Sequence, residues 1–556
     1  MLDLFYLVQF PPSVFTFASN YFGTGDLWRN RQLLSGSLVG AAVCALTFVP
    51  RKSSHLETLI STKAQTSASP TTPRSPLTRH NAGTRNHTRD KSPTLPAMAP
   101  KPLTLDGRTG EGGGQLVRLC AALCSVTSTP FIITNVRGNR AGGARGGGLK
   151  AQHVSGLSFL AKATGATVSG LHVGSKTVEF HPQLPPISFD WEGSEKSSEA
   201  GESGESRQSR NGATKLRIEA NTPAASAMLI FQAIFPYLLF ASTPSNNPIQ
   251  LELLGGTNVS WSLSWEYFDQ VLLPTLEVWY NIRVARSLVR RGWSTGTPSQ
   301  RGIIHISFTP IPRGQTLTMH SPTPFAEDDF KISQIDVSII TPTHLHTPLQ
   351  TELSSLLSLS FPSASISFPT IEDSGHDSRV YILLVAVSQS SRMRWGRDIL
   401  SSDSSKKRKV KPEKLAAVVS GRVCQALEKD VALQGACDEF LQDQLIVFQC
   451  LASGRSSFPR SDGAEDGESA SQDPCRMRSL KPISARMNEE EGEPREVSAK
   501  KVLEPFGQGS MHSRTARWVA SEVLGGKVGW FNDGSIIKGA GISFPGTEGK
   551  ENGGKE

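Results

Sequence analysis

The chain has 556 residues, a net charge of +8 and an isoelectric point near 9.1. That length buries more than one core, so two or more domains are expected, and an apolar share of 37% hints that some stretches stay outside any core. The basic balance favours an anionic partner such as nucleic acid, and seven cysteines with no Cys/His cluster at zinc spacing argue against a zinc module and for reduced thiols in an intracellular protein.

Residues 1–97 differ in character from the rest. The apolar run 38–49 is too short to span a membrane comfortably, and Asp3, Pro11 and Pro12 spoil a secretory signal. Residues 51–97 are rich in Ser, Thr, Pro and Arg and almost free of acid, so they are expected to be disordered. A mitochondrial-type presequence and a membrane anchor are the functional readings. The composition favours a segment outside the working protein, with Met98 as a natural start.

Residues 98–309 read as two units of one domain. In the first, 103–106 alternates as a strand, and Leu116, Leu119, Cys120 and Leu123 recur at helical spacing. A β-branched strand at 131–136 follows, then a helix marked by Val154, Leu157, Leu160 and Ala161 that Gly165 ends, then strands at 167–171 and 177–180. The order is βαβαββ. After a polar insert at 194–212 it repeats: a strand at 215–219, an apolar helix at 224–240 interrupted by Pro236, and a strand at 249–254 that runs into Gly255-Gly256-Thr257-Asn258. A helix at 267–279 kinked by Pro274 and strands at 282–285 and 303–308 complete it. Units of this kind pack helices against a sheet, so the fold class is α/β or α+β.

Residues 310–429 look like a separate α/β module, with strands at 331–340 and 379–387 and helices at 349–359 and 415–427. Residues 430–545 form a third unit. Its first helix ends near Ala452, a second polar insert occupies 453–500, a helix runs from Met511 through Val523, and strands follow at 528–531 and 535–544. Residues 546–556 are a polar tail. The compact run Lys406, Lys407, Arg408 and Lys409 reads as a nuclear localisation signal held by an import receptor; a solvated loop and an RNA-backbone contact are the alternatives.

The chemistry concentrates in 105–157. Glycines let a backbone approach an anion closely, the free N–H groups of Gly113 to Leu116 at a helix start suit the same anion, and Arg118, Arg137 and Arg140 add planar donors that match phosphate oxygens. Gly146-Gly147-Gly148-Leu149-Lys150 is not a P-loop, and Gly112-Gly113-Gly114 is not GxGxxG. By spacing alone, tight turns with solvated arginines explain the stretch as well as a phosphate site does. His512, a lone histidine near a helix start, is by residue type alone more often a packing or capping neighbour than a nucleophile.

Several motifs together resemble the RNA 3′-terminal phosphate cyclases. They are Asp106-Gly107, Glu111-Gly112-Gly113-Gly114-Gln115-Leu116-Val117-Arg118, Arg137-x-x-Arg140 and Gln152-His153-x-x-Gly156-Leu157 in the first unit, and the Gly255 to Asn258 turn in the second. The third unit adds the run Cys437 to Leu445 with its Asp443-Gln444 pair, and the run Met511 to Arg517. The resemblance implies repeated βαβαββ units in a large domain with a small inserted α/β domain. It implies an ATP-dependent enzyme in which His512 takes AMP from ATP and passes it to an RNA 3′-phosphate, which then closes to a 2′,3′-cyclic phosphate. It places Gln115, Phe440, Asp443 and Gln444 on the nucleotide. Arg118, Arg137, Arg140 and Gln152 fall on phosphate or RNA, and Glu111 on Mg²⁺ or Mn²⁺, with His153 structural or lining the site.

Some features depart from the family pattern. Phe440 stands where Tyr is common, the loop 141–150 is lengthened, and a glycine-rich turn expected near 390–400 is replaced by SSRMRWGRDIL. The alternative reading is a non-catalytic cyclase-like factor of ribosome assembly that binds pre-rRNA. The enolpyruvyl transferases share the repeated plan but lack the paired Glu-Gly-Gly-Gly-Gln and Asp-Gln motifs. No stable membrane association is expected. The nucleus is the expected location, with the mitochondrion or nucleolus as alternatives.

Overall fold

The structure is a computed structural model that describes residues 101–140, 146–188, 214–220, 222–243, 246–297, 299–320, 325–401, 411–460 and 504–546. The 1–97 extension, the 194–212 insert and the Lys406 to Lys409 run lie outside the described residues, as do most of the second insert and of the tail.

The first unit orders β1 (Leu103–Asp106), α1 (Gly114–Thr127), β2 (Phe131–Thr134), α2 (Ala151–Thr164), β3 (Thr167–Ser169) and β4 (Val178–His181). Its sheet runs β1-β2-β4-β3, parallel between β1 and β2 and antiparallel elsewhere. The second unit has β5 (Thr214–Glu219), α3 (Ala227–Leu238), β6 (Ile249–Gly255), α4 (Leu273–Tyr280), β7 (Val284–Arg290) and β8 (Gly302–Phe308). Its sheet, β5-β6-β8-β7, repeats the same order and polarity. On β5, Leu216 and Ile218 are buried while Lys215, Arg217 and Glu219 face solvent. That two-residue period made these strands legible.

Two helices of the second unit carry prolines. In α3 the helix starts at Ala227, because Ser226 Oγ accepts the Leu229 N–H at 3.2 Å, and it continues through Pro236 to Leu238. At α4, Trp265–Tyr267 passes through a π-helical turn at Phe268–Leu272 into Leu273–Tyr280. Pro274 then sits in the first turn of that last segment, where a missing N–H costs nothing, so the π turn absorbs the kink expected at Pro274.

The third unit contains α5 (Glu439–Leu451), β13 (Arg455–Ser457), α6 (Met511–Leu524), β14 (Gly529–Phe531) and β15 (Ile536–Lys538). Its sheet order, β13-β15-β14, matches β2-β4-β3 of the first unit. Residues 453–460, expected in the second insert, therefore belong to the fold. Arg455-Ser456-Ser457 is too short and polar to show a strand pattern, and its pairing with Ile536–Lys538 makes it one.

The inserted module has β9 (Ile332–Thr341), α7 (His346–Ser360), β10 (Ser365–Asp373), β11 (Val380–Ser388), β12 (Arg394–Ser401) and α8 (Pro412–Ala432), with sheet order β10-β9-β11-β12. Sequence reading missed β10, which carries Pro369 and an irregularity between Ser367 and Thr370, and β12, which holds four charged or polar residues. Ser391, with φ of 59°, takes the left-handed position where a glycine was expected. Every residue of β11 is buried, as a strand covered on both faces must be. Helices α7 and α8 lie on the sheet, and the π turn of the second unit meets it through Gln270 Nε2, which donates to Ser338 Oγ at 2.9 Å. The module is thus docked on the second unit, and one apolar core runs through all the units.

Helices α1, α2, α3, α5 and α6 pack on one another. This helical layer brings the first turn of α1, the middle of α3 and the first turns of α5 and α6 to one place.

Candidate functional site

The site grows from the glycine turn before α1. Gly112 adopts φ of +60°, and a Cβ on Gly113 would meet the Glu111 carboxylate at 2.1 Å. Only glycine lets Glu111 fold back over the turn this way. Its carboxylate is almost buried, and its ion-pair partner is Arg140. Its backbone N–H donates to Thr515 Oγ1 on α6 at 3.0 Å, which ties the turn to the helix that carries His512.

Beyond the turn, a chain of hydrogen bonds crosses all three units. Arg118 Nε donates to Gln232 Oε1 at 3.0 Å, and Gln232 Nε2 donates to Gln444 Oε1. Gln444 Nε2 donates to Asp443 Oδ2 at 2.9 Å, and Gln115 Nε2 donates to the same oxygen at 2.6 Å. His512 Nδ1 lies 2.9 Å from Gln115 Oε1.

The direction of this chain follows from its ends. An arginine only donates, and an ionised carboxylate only accepts. With Asp443 ionised, Gln115 turns its amino group to Asp443 and its carbonyl to His512. The carbonyl accepts, so Nδ1 of His512 carries the proton and Nε2 keeps a free lone pair. Burial, with the charges of Arg118 and Arg140, lowers the His512 pKa below its usual value, so the ring is neutral at pH 7. Burial pushes Asp443 up to about 7, against the pull of its bond from Gln444 and the Arg118 charge. Burial also lowers Arg118 to about 10, which still leaves it cationic at neutral pH.

Beside this chain lies a cleft lined by Leu119, Phe231, Phe235 and Phe448 together with Gln115, Arg118, Gln232 and Asp443. An apolar floor with a few convergent polar groups is the usual form of a small-molecule site.

The other expected residues lie around this centre. Arg137, in a left-handed conformation, donates to Gly146 O at 3.3 Å and Gly148 O at 3.4 Å, and its charge reaches Arg118. Gln152 is half-buried in the first turn of α2, beside His153. The buried His153 accepts the Lys150 N–H at Nδ1 over 3.0 Å, and Nε2 packs on Gly114 with no hydrogen-bond partner among the described residues. Burial, with Arg118, Arg137 and Lys150 nearby, holds His153 far below its usual pKa. Phe440 does not join the hydrogen-bonded chain; it sits three residues before Asp443 on α5 and is 40% exposed.

Sequence reading missed Gln232 and Thr515. Gln232 was visible as the one polar side chain in the apolar run Met228 to Pro236, a position that costs free energy unless the amide finds partners. Thr515 lies in the run Met511 to Arg517, but nothing in that run pointed to its contact with the glycine turn. Glu111 is the single acidic residue at the turn, and among the described residues no three His, Cys, Asp or Glu side chains gather as a metal site. Oε1 of Glu111 faces the Arg140 guanidinium, while Oε2 is buried with no hydrogen-bond partner among the described residues and keeps lone pairs for a cation that also holds phosphate oxygens.

Repeated βαβαββ units that meet at a hydrogen-bonded polar chain ending on His512 define a particular class of α/β protein. Residues 109–472 match the family model described as RNA 3′-terminal phosphate cyclase, and the chain belongs to that family. The match includes Glu111, Gln115 and Asp443 and stops before α6, which carries His512. Among similar proteins, the RNA 3′-terminal phosphate cyclase of Pyrococcus furiosus is 28% identical over 358 residues, or 64% of this chain and 87% of that protein. The cyclase of Drosophila melanogaster is 27% identical over 365 residues, covering 65% and 86% of the two chains. That of Methylococcus capsulatus is 34% identical over a shorter stretch of 196 residues, 34% of this chain and 45% of that protein.

Proposed function

We propose that this chain uses ATP to convert the 3′-terminal phosphate of an RNA into a 2′,3′-cyclic phosphodiester, with His512 as the covalent carrier of AMP. The observation that supports this reading most is the 2.9 Å contact of His512 Nδ1 with Gln115 Oε1, itself tied to Asp443, which with Asp443 ionised puts the proton on Nδ1 and leaves the Nε2 lone pair for attack.

In the first step Nε2 attacks the α-phosphorus of ATP, an N–P bond forms and pyrophosphate leaves. The ring gains positive charge as it attacks. Its Nδ1–H bond to Gln115, with ionised Asp443 behind it, offsets that charge. An oxygen of the RNA 3′-phosphate then attacks the same phosphorus, the N–P bond breaks and the imidazole is restored. The 2′-hydroxyl attacks the activated 3′-phosphorus, its proton passes to solvent and AMP leaves. Arg118, Arg137 and Arg140 neutralise phosphate charge, and Gln152 contributes a polar contact near the phosphates. Glu111 would hold Mg²⁺ or Mn²⁺, which supplies charge neutralisation on the phosphates. Phe440, Asp443 and Gln444 flank the nucleoside end.

The RNA is held by its end, through phosphate and 2′-hydroxyl contacts rather than base readout. Lys406, Lys407, Arg408 and Lys409 would serve an import receptor, which makes the nucleus the proposed location. Among the described residues no helix is long and apolar enough to cross a membrane.

The test is product analysis. A 5′-labelled RNA with a 3′-phosphate is incubated with ATP, Mg²⁺ and the full chain, then treated with phosphatase. A phosphatase-resistant end that depends on ATP is expected from the wild type. Gln115→Leu, which releases the His512 tautomer, is expected to lower the rate about a hundredfold. RNA that binds but keeps a phosphatase-sensitive end would point instead to a non-catalytic relative.

A further inference from the structure

The inserted module reaches the candidate nucleotide site through β12. A Cβ on Gly396 would meet the Tyr267 ring at 2.6 Å, so glycine there lets the strand lie directly on that ring. The Gly396 N–H donates to Asp438, the N-cap of α5, at 2.8 Å. Arg397, 9% exposed, then places its guanidinium 4.6 Å from the centroid of the Phe440 ring. Two carboxylates fix that guanidinium: Asp430 of α8 at 2.7 Å and Glu439 at 3.2 Å. Tyr267 packs against Phe440 in a T-shaped pair, with ring centroids 6.3 Å apart at 79°. One face of the ring is thus covered by Arg397, and Phe440 remains 40% exposed. Phe440 shares a face of α5 with Asp443 and Gln444, three and four residues on.

We propose that Arg397 is a positioning residue for the nucleobase of ATP: it backs one face of Phe440 and so sets the other face for stacking. This rests on the reading of α5 as part of the nucleotide site. A cation over one face draws on the ring quadrupole and holds the ring in place. A ring held before binding loses less freedom when a purine stacks on it. In this account the module that interrupts the large domain supplies part of the base site, and the missing Tyr hydroxyl at Phe440 is unnecessary because Arg397, rather than a hydrogen bond, fixes the ring.

The experiment is calorimetric titration of the full chain with ATP and, separately, with inorganic tripolyphosphate, which lacks the base. Arg397→Met and Phe440→Leu are each expected to weaken ATP roughly tenfold and to leave tripolyphosphate unchanged. The double variant is expected to be little worse than either single one. Arg397→Lys keeps a cation for Asp430 and Glu439 but loses the planar stack, so it should fall between. Asp430 retains Arg460 at 2.7 Å in all of these variants, so no buried carboxylate is left without a cation. If both Arg397 variants bind ATP as the wild type does while Phe440→Leu weakens it, Arg397 has no such role and the nucleotide site stands. Equal losses for ATP and tripolyphosphate would mean general damage and also overturn the proposal. A wild type that binds ATP no better than tripolyphosphate would remove the nucleotide reading, and the proposal with it.

Discussion

His512, Gln115 and Asp443 come from two helices of the third unit and one of the first, and each sets the state of the next. The carboxyl of Asp443 is raised to about 7, and the His512 pKa lies below its usual 6.5. Catalysis in this account needs Asp443 ionised and His512 neutral. Both states are reached as pH rises, and Asp443 is the later to titrate. The rate of AMP transfer to the enzyme is therefore expected to climb through about pH 7 and then level. In Asp443→Asn the side-chain carbonyl accepts from Gln115 at every pH. The climb should then move below pH 6.5, with a lower plateau because the charge is gone. A climb that stays near pH 7 in the variant would contradict this assignment. The same shift has a cost in stability. Between the unfolded value near 3.8 and about 7, the folded chain holds a proton that the unfolded chain releases, so this carboxyl makes stability fall as pH rises across that window.

At the scale of elements, the N-terminus of α5 joins three parts of the fold. Asp438 accepts the Phe440 and Leu441 N–H groups of α5 at 2.9 Å, the Tyr267 hydroxyl at 2.6 Å and the Gly396 N–H at 2.8 Å. Asp438→Ala removes a helix cap and leaves two further buried donors without an acceptor. A loss of about 3 kcal/mol is expected in urea unfolding; a loss below about 0.5 kcal/mol would show that the junction tolerates its absence.

The elements also show what a sequence can reveal. The strands and helices of the first two units were legible because apolar residues recur at periods of 2 and 3.6. Strand β13 was not, since Arg455-Ser456-Ser457 owes its conformation to pairing with residues some 80 positions away. Strand β10 was hidden by Pro369. In the site, residue types and order pointed to His512, Gln115 and Asp443 only through the family resemblance. The direction of the hydrogen-bond chain, and the contact of Arg397 with Phe440 across 43 positions, required the fold.

Over the whole molecule, the hydrogen-bonded chain takes Gln115 and Arg118 from the first unit, Gln232 from the second, and Asp443, Gln444 and His512 from the third. No single unit contains it, which accounts for one continuous core beneath all of them. The basic balance fits a protein that handles nucleic acid ends, with arginines gathered where phosphates would lie. The central claim is that His512 carries AMP. It is tested most directly by incubating the full chain and His512→Ala with ATP labelled at the α-phosphate, together with Mg²⁺, and resolving the denatured protein. An alkali-stable, acid-labile adduct on the wild type that is absent from His512→Ala is the expected result. An adduct that persists in His512→Ala, or cyclisation of RNA by that variant at the wild-type rate, would contradict it.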